Sequence, residues 1–305
     1  MIENTYFKQA HLVLQFLPIV MKHDHFALKG GTAINFFVRN LPRLSIDIDL
    51  AYIPVEDRKE SIQNISNSMK DISISAKKVI GNVRIVPKVL SELNLWQGIV
   101  IEQEGIMVKI ETNLIIRGTV FPCEMRDISE EAADLFEMFV SINTLSFADL
   151  FGGKICAALD RQHPRDLFDI KLLFENEGLS DNIRKAFLVY LISHNRPIHE
   201  LLDPGFVDFK DIFESEFAGL TRMMVKYEEL VETRQKLISK IKNDLTDDEK
   251  RFLISIKKRE PDWDLLGLKG VENLPAVRWK LINLNKMPAK KHLQALDKLG
   301  KILEF

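Results

Sequence analysis

Cysteine is scarce in this sequence: Cys123 and Cys156 are the only two among 305 residues. They make no C-x-x-C pair and no metal-ligand spacing, which excludes a disulfide framework and fits a reducing compartment. An excess of one charge is missing as well. Lys and Arg total 42 against 44 Asp and Glu, and a formal net charge of −2 gives no whole-chain field toward nucleic acid or a membrane. Any such contact needs a local patch. Long apolar runs are also absent. "LVLQFLPIVM" carries Gln15 and Pro18 and lacks a small-residue cleavage site, so it reads as neither signal peptide nor membrane span. The cytoplasm, with no membrane partner, is the expected location. Neither G-x-x-x-x-G-K-[ST] nor G-x-G-x-x-G occurs, so the signatures of P-loop and dinucleotide-binding folds are missing. The seven histidines show no H-E-x-x-H or other ligand spacing, and His163 reads best as a polar loop residue.

What is present is an ordinary globular composition, 46% hydrophobic and 28% charged, in a chain long enough for two domains. The first segment has helical spacing to about Met21. "FALKGG" is a short strand entering a turn, and "TAINFFVRN" is a helix with Ala33, Ile34, Phe36 and Phe37 on its apolar side. "LSIDIDLAYI" is a strand closed by Pro54, and a helical stretch follows from Val55 to Ile80. Three β-rich runs come next: "NVRIVPKVL", "LWQGIVIEQE" and "IMVKIETNLIIRG". The Gln-Glu-Gly break before the last predicts a hairpin. Helices begin near Ser146 and Pro164. From Gly178 the pattern is nearly all helical, with a capping box at Thr246 and Glu249. The expected fold class is α+β: a mixed-sheet lobe over residues 1–143, then an α-helical lobe over residues 144–305.

The stretch from Leu28 to Leu50 carries the chemistry. Strand side chains alternate, so Arg43, Ser45, Asp47 and Asp49 share one face while Ile46, Ile48 and Leu50 share the other. Two carboxylates roughly 7 Å apart along a strand can chelate a hard cation. Mg²⁺ favours such a set, completed by waters and nucleotide phosphates. The plain alternative is a half-exposed strand with an acidic face. Gly30 and Gly31 let the backbone approach a ligand closely, and the helix after them offers N–H groups and its positive end to a phosphate. Lys29 adds a charge, and Thr32 can cap the helix or bond a phosphate oxygen. An ordinary strand-to-helix turn explains the glycines equally well. On "MVKIETNLI", Lys109, Glu111 and Asn113 alternate with Val108, Ile110 and Leu114. Glu111 could complete a metal site, act as general base, or be an exposed strand acid.

Gly-Gly-Thr, a helix, Arg-x-Ser-x-Asp-Ile-Asp-Leu and then a strand acid together resemble the nucleotidyltransferase superfamily of polymerase-β type. With "FGGKICAALDRQHPRDLFDIKLL" added, the pattern from roughly residue 26 to 175 is similar to the AbiEii/AbiGii toxin family, the toxin halves of type IV toxin–antitoxin and abortive-infection systems. "FLISIKKREPDW" and "LPAVRWKLINLNK" extend the match more weakly. One departure is Gly31-Thr32 where the superfamily often has Gly-Ser; a hydroxyl is kept. The resemblance implies a metal-dependent enzyme that moves a nucleoside monophosphate from an NTP to an acceptor, with its active site in a cleft between the lobes. It implies that Asp47, Asp49 and Glu111 hold Mg²⁺ or Mn²⁺. Gly30, Gly31 and Thr32 would cradle the triphosphate, with Lys29, Arg43 and Ser45 close by, and Lys154 and Asp166 would join the catalytic set. The implied partners are the NTP, an RNA acceptor such as tRNA, and a cognate antitoxin. The alternatives are a protein or small-molecule acceptor, or a nucleotide- or antitoxin-binding module without turnover. Retention of all three acids speaks against the module.

Helical spacing places Lys154 on the border of its helix's apolar side, where it could reach a phosphate. Pro164 suits a first helical position and puts Asp166 in the first turn. The plain account of these residues is helix-dipole stabilisation by Asp166 and an i,i+4 surface pair between Arg165 and Asp169. Near the end, Arg278, Lys280, Lys286, Lys290, Lys291, Lys298 and Lys301 stand against the single acid Asp297. Beside Trp279 such a stretch could follow an RNA backbone, while a solvated helix face accounts for most of its lysines.

Overall fold

In the computed structural model, which describes residues 5–304, the chain folds as two compact units. The first holds the residues up to Ser146 together with Glu216–Met224, and the second holds Phe147–Ser215 and the residues from Val225 onward. The architecture is mixed α+β, with a seven-stranded mixed sheet in the first unit.

The strands are β1 (Phe26–Lys29), β2 (Asp47–Tyr52), β3 (Arg84–Leu90), β4 (Leu95–Gln103), β5 (Ile106–Thr112), β6 (Glu124–Asp127) and β7 (Ser141–Thr144), in the order β3-β4-β5-β2-β1-β7-β6. The pairs β2–β5 and β1–β7 are parallel and the other neighbours antiparallel. A parallel pair needs a long crossover. Between β2 and β5 it is supplied by α3 (Arg58–Val79), capped by the Asp57 carboxylate, and by the β3–β4 hairpin. The expected β4–β5 hairpin forms around Glu104 (φ 51) and Gly105 (φ 78). Two successive positive φ values make a type I′ turn, which matches the twist of its strands.

The alternating pattern sorts the sheet faces. Ile48 and Leu50 of β2, Ile110 of β5 and Ile99 of β4 are fully buried on one face, where α1 (Thr5–Val20) and α3 pack with Leu14, Leu17, Ile65 and Met69. Each such side chain contributes about 1.5–3 kcal/mol by burial. The remaining helices of this unit are α2 (Gly30–Ala33), which runs on as a π-helical turn over Ile34–Val38, and α4 (Glu130–Phe136). Glu216–Met224 pairs like a strand with the approach to β2: Leu44 N–H donates to Leu220 O (2.8 Å) and Arg222 N–H to Pro42 O (3.0 Å).

The second unit is helical, with α5 (Phe147–Arg161), α6 (Pro164–Asn176), α7 (Asp181–Ser193), α8 (Ile198–Leu202), α9 (Lys210–Ile212), α10 (Tyr227–Asp244), α11 (Asp247–Lys258), α12 (Pro275–Asn285) and α13 (Ala289–Leu303). α5 and α7 pack closely because Gly152 has no side chain: a Cβ there would stand 2.7 Å from the Phe187 nitrogen. The capping box forms as expected, and Glu249 also holds Arg184 at 2.7 Å in a buried pair. Among the described residues no helix is long and apolar enough to cross a membrane.

Candidate active site

β1 ends at Lys29, and the chain turns directly into α2. Lys29 is the N-cap in extended conformation, and no side chain caps the helix. Its first N–H groups are the kind of donors a phosphate satisfies. Gly30 takes φ 72, and a Cβ there would lie 2.6 Å from Asp49 Oδ2. At Gly31 a Cβ would lie 2.7 Å from Arg43 Nη2 and 3.0 Å from Ser45 Oγ. The acid strand and its approach therefore occupy the volume that two side chains would need. β2 begins at Asp47, later than the alternation suggests, so Arg43 and Ser45 lie ahead of it. They still converge on the turn. Arg43 is 2% exposed, and Nη1 donates to Leu44 O at 3.0 Å. The buried Thr32 hydroxyl bonds Ser45 Oγ at 2.9 Å and the Asp47 carbonyl at 2.5 Å. Thr32 thus ties the turn to β2 and does not cap α2.

Register then aligns five residues across five strands. Lys29 pairs with Asp49, Asp49 with Glu111, Glu111 with Gly98, and Gly98 with Lys88. Partners in register share a face. A Cβ at Gly98 would meet Ile110 O at 2.6 Å, so the position stays bare. Lys88 reaches over it, and its Nζ lies 2.7 Å from Glu111 Oε1. The side chains are 50% and 37% exposed, which limits the pair to about 1 kcal/mol or less. Sequence reasoning missed Lys88 and Gly98. The bare glycine in the "LWQGIVIEQE" run was their only local signal.

Asp47 and Asp49, on one face of β2, fit a Mg²⁺ ion that takes one or two carboxylates and completes its shell with water and phosphate. Glu111 is held by Lys88. Among the described residues no group of three or more His, Cys, Asp or Glu is arranged to hold a metal ion.

Lys154 and Asp166 lie in the second unit. Lys154 is buried on α5, with Nζ 2.9 Å from Asp166 Oδ1 and 2.9 Å from Asp169 Oδ2, both on α6. Arg161 adds Nη2 at 2.7 Å and Nε at 3.1 Å to Asp166 Oδ2. Burial pushes the Asp166 carboxyl up, but Lys154 and Arg161 outweigh it and hold it well below the usual carboxylate range. Asp169 is fully buried against Lys154, not set on the surface as the i,i+4 account with Arg165 would have it. His163 caps α6, its Nδ1 accepting the Arg165 N–H.

Of the basic stretch, Arg278, Lys286, Lys290, Lys291, Lys298 and Lys301 are exposed, and Lys301 pairs with Asp297 at 2.8 Å. Lys280 departs from them. It is half-buried, and Nζ donates to His194 O at 2.6 Å.

A mixed sheet whose Gly-Gly turn is locked to an Asp-x-Asp strand is the framework of a nucleotidyltransferase. The chain belongs to the AbiEii family, nucleotidyl transferase toxins of type IV toxin–antitoxin systems, whose profile matches residues 12–283. Its fold is similar to that of MenT4, the nucleotidyltransferase toxin Rv2826c from Mycobacterium tuberculosis H37Rv. That likeness has a TM-score of 0.56 at 14% identity and covers 97% of this chain and 92% of that one. No relative among curated proteins matches the sequence.

Proposed function

We propose that this chain moves a nucleoside monophosphate from an NTP onto an acceptor hydroxyl and releases pyrophosphate. The observation that carries the reading is the contact between the Gly30 backbone and the Asp49 carboxylate, which leaves no room for a Cβ. The turn suited to a triphosphate and the acid suited to its metal are fixed against each other. A module that only bound a partner would not need that fit.

In this reading Lys29 and the N–H groups of Gly30, Gly31 and Thr32 receive the triphosphate, while Arg43 and Ser45 hold the turn in shape. Asp47 and Asp49 hold Mg²⁺ or Mn²⁺. When bound, the metal neutralises phosphate charge as it builds up in the displacement. The acceptor oxygen bonds to the α-phosphorus, the bond from that phosphorus to the bridging oxygen breaks, and pyrophosphate leaves with the electron pair. Glu111, released from Lys88, takes the hydroxyl proton. Lys154 and Asp166 support the reaction by keeping the α5–α6 charge cluster intact.

RNA is the proposed acceptor, with tRNA the first candidate. The support is the exposed cations of α12 and α13 beside Trp279. A cognate antitoxin follows from the family, and the cytoplasm is the proposed location. Purified protein incubated with each labelled NTP, Mg²⁺ and total RNA tests the reading. Label in RNA supports it, label in protein or small molecules moves the acceptor, and no transfer to any of them removes it.

A further inference from the structure

A cavity of about 170 Å³ lies in the second unit among α7, α11 and α12. Lys257 of α11 lines it, with Trp279, Lys280 and Asn283 of α12 and His194 after α7, and no carboxylate is among its lining residues. Lys257 is only 6% exposed, and its ammonium has no hydrogen-bond or ion-pair partner among the described residues. Lys280 donates to the carbonyl oxygens of His194 (2.6 Å) and Arg196 (3.4 Å), closing the end of α7. Two lysines thus line an acid-free cavity. Burial and, less, Arg259 push Lys257 down, and burial with the charge of Lys257 pushes Lys280 down to about 8. Buried cations are costly until an anion joins them.

The size and rim of the cavity narrow the anion. One water needs roughly 10–15 Å³ of such space, so a phosphate group with several waters fits. Trp279 is 52% exposed and presents an indole at the edge of the cavity. Met287 also lines the cavity, and the exposed Lys286, Lys290 and Lys291 flank it in sequence. A carboxylate or sulfate ligand would use the lysines but not the indole. A nucleotide uses both, because bases stack on aromatic faces.

We propose that this cavity is a second nucleotide site, with the phosphate on Lys257 and Lys280 and the base against Trp279. The ligand is a nucleoside monophosphate unit, either free or within an RNA strand. The site stands on the second unit alone and does not depend on the transfer chemistry of Asp47 and Asp49.

The test is calorimetric titration of the full-length protein in EDTA with inorganic phosphate, AMP and a short single-stranded oligoribonucleotide. All three are expected to bind, and whichever of AMP and the oligonucleotide binds more tightly identifies the source. Lys257→Met should weaken all three by about tenfold or more, and its melting temperature should hold or rise because an unpaired buried charge is removed. Trp279→Leu should weaken AMP and the oligonucleotide by about tenfold, the loss expected for one stacked base, and leave inorganic phosphate alone. No binding by the unsubstituted protein overturns the site, as does unchanged affinity in a folded Lys257→Met protein. If Lys257→Met does not fold, the surface variant Trp279→Leu decides: undiminished AMP and oligonucleotide affinity overturns the proposal.

Discussion

Gly30 and Asp49 compete for one volume: a methyl group on the first would stand 2.6 Å from a carboxylate oxygen of the second. Gly30 also holds φ 72, where an alanine costs about 1–2 kcal/mol. Gly30→Ala should therefore lower stability by about that amount and push the Asp49 carboxylate aside. A shift near 1 Å costs about 100-fold in rate, so transfer should fall by two orders of magnitude while the protein stays folded. Paired thermal melting and single-turnover assays check this. Near-normal turnover would mean that the position of Asp49 is not critical.

Lys88 and Glu111 form the second relationship, 2.7 Å apart across the bare Gly98. Glu111 has to leave Lys88 before it can accept a proton or approach a metal. Lys88→Met should leave the melting temperature unchanged, since the exposed pair contributes about 1 kcal/mol or less. It should lower the Mg²⁺ concentration for half-maximal transfer by up to about fivefold, the equivalent of that energy. A Mg²⁺ titration of both proteins is the measurement. An unchanged midpoint would leave the pair as surface decoration.

These two relationships divide what could be read from the sequence from what could not. The turn at Gly30-Gly31, the alternation through Asp49 and the Glu104-Gly105 hairpin are local signals, and each forms. β6 (Glu124–Asp127) and β7 (Ser141–Thr144) were not legible, being four residues each and largely polar. The pairing of Leu44 with Leu220 joins residues far apart in the chain, and no local pattern announces it. The Lys29–Asp49–Glu111–Gly98–Lys88 row depends on strand register, which the turn chemistry and hydrophobic pattern set only jointly. Spacing put Lys154 at the edge of an apolar helix face, but only packing shows its ammonium between two buried aspartates.

Lys154→Ala leaves Asp166 and Asp169 buried without their shared cation, which should cost about 3–5 kcal/mol. Urea unfolding at neutral pH should show that loss, so any fall in NTP affinity must be judged against it. The acid limb gives an independent check. The folded-state pKa of Asp166 lies below its unfolded value of about 3.9, so its pairing stabilises the protein above that pH. The contribution disappears as pH drops toward the folded value. Asp166→Asn should be less stable at pH 7 and should lose less stability than the unsubstituted protein between pH 4 and 2. Parallel acid slopes would remove Asp166 as a stabilising charge.

Lys286, Lys290 and Lys291 are exposed, and the proposed RNA acceptor would lie along them. Neutralising all three should remove roughly three phosphate contacts and reduce the log–log salt slope of RNA binding by about 2 to 3. NTP binding should not change, because the candidate NTP residues lie in the other unit. Filter binding across a salt series decides. Normal RNA modification at every salt concentration would mean that this stretch is not the acceptor surface.

The central claim is that Asp47 and Asp49 form the reacting edge of a transferase. Its most direct test measures transfer of labelled nucleotide by Asp47→Asn and Asp49→Asn on preparations whose melting is also recorded. Both carboxylates are partly exposed on the face of β2 opposite the buried Ile48 and Leu50, so both variants should melt like the unsubstituted protein. Each should transfer no measurable label at any Mg²⁺ concentration. Transfer by both folded variants at the unsubstituted rate would contradict the account.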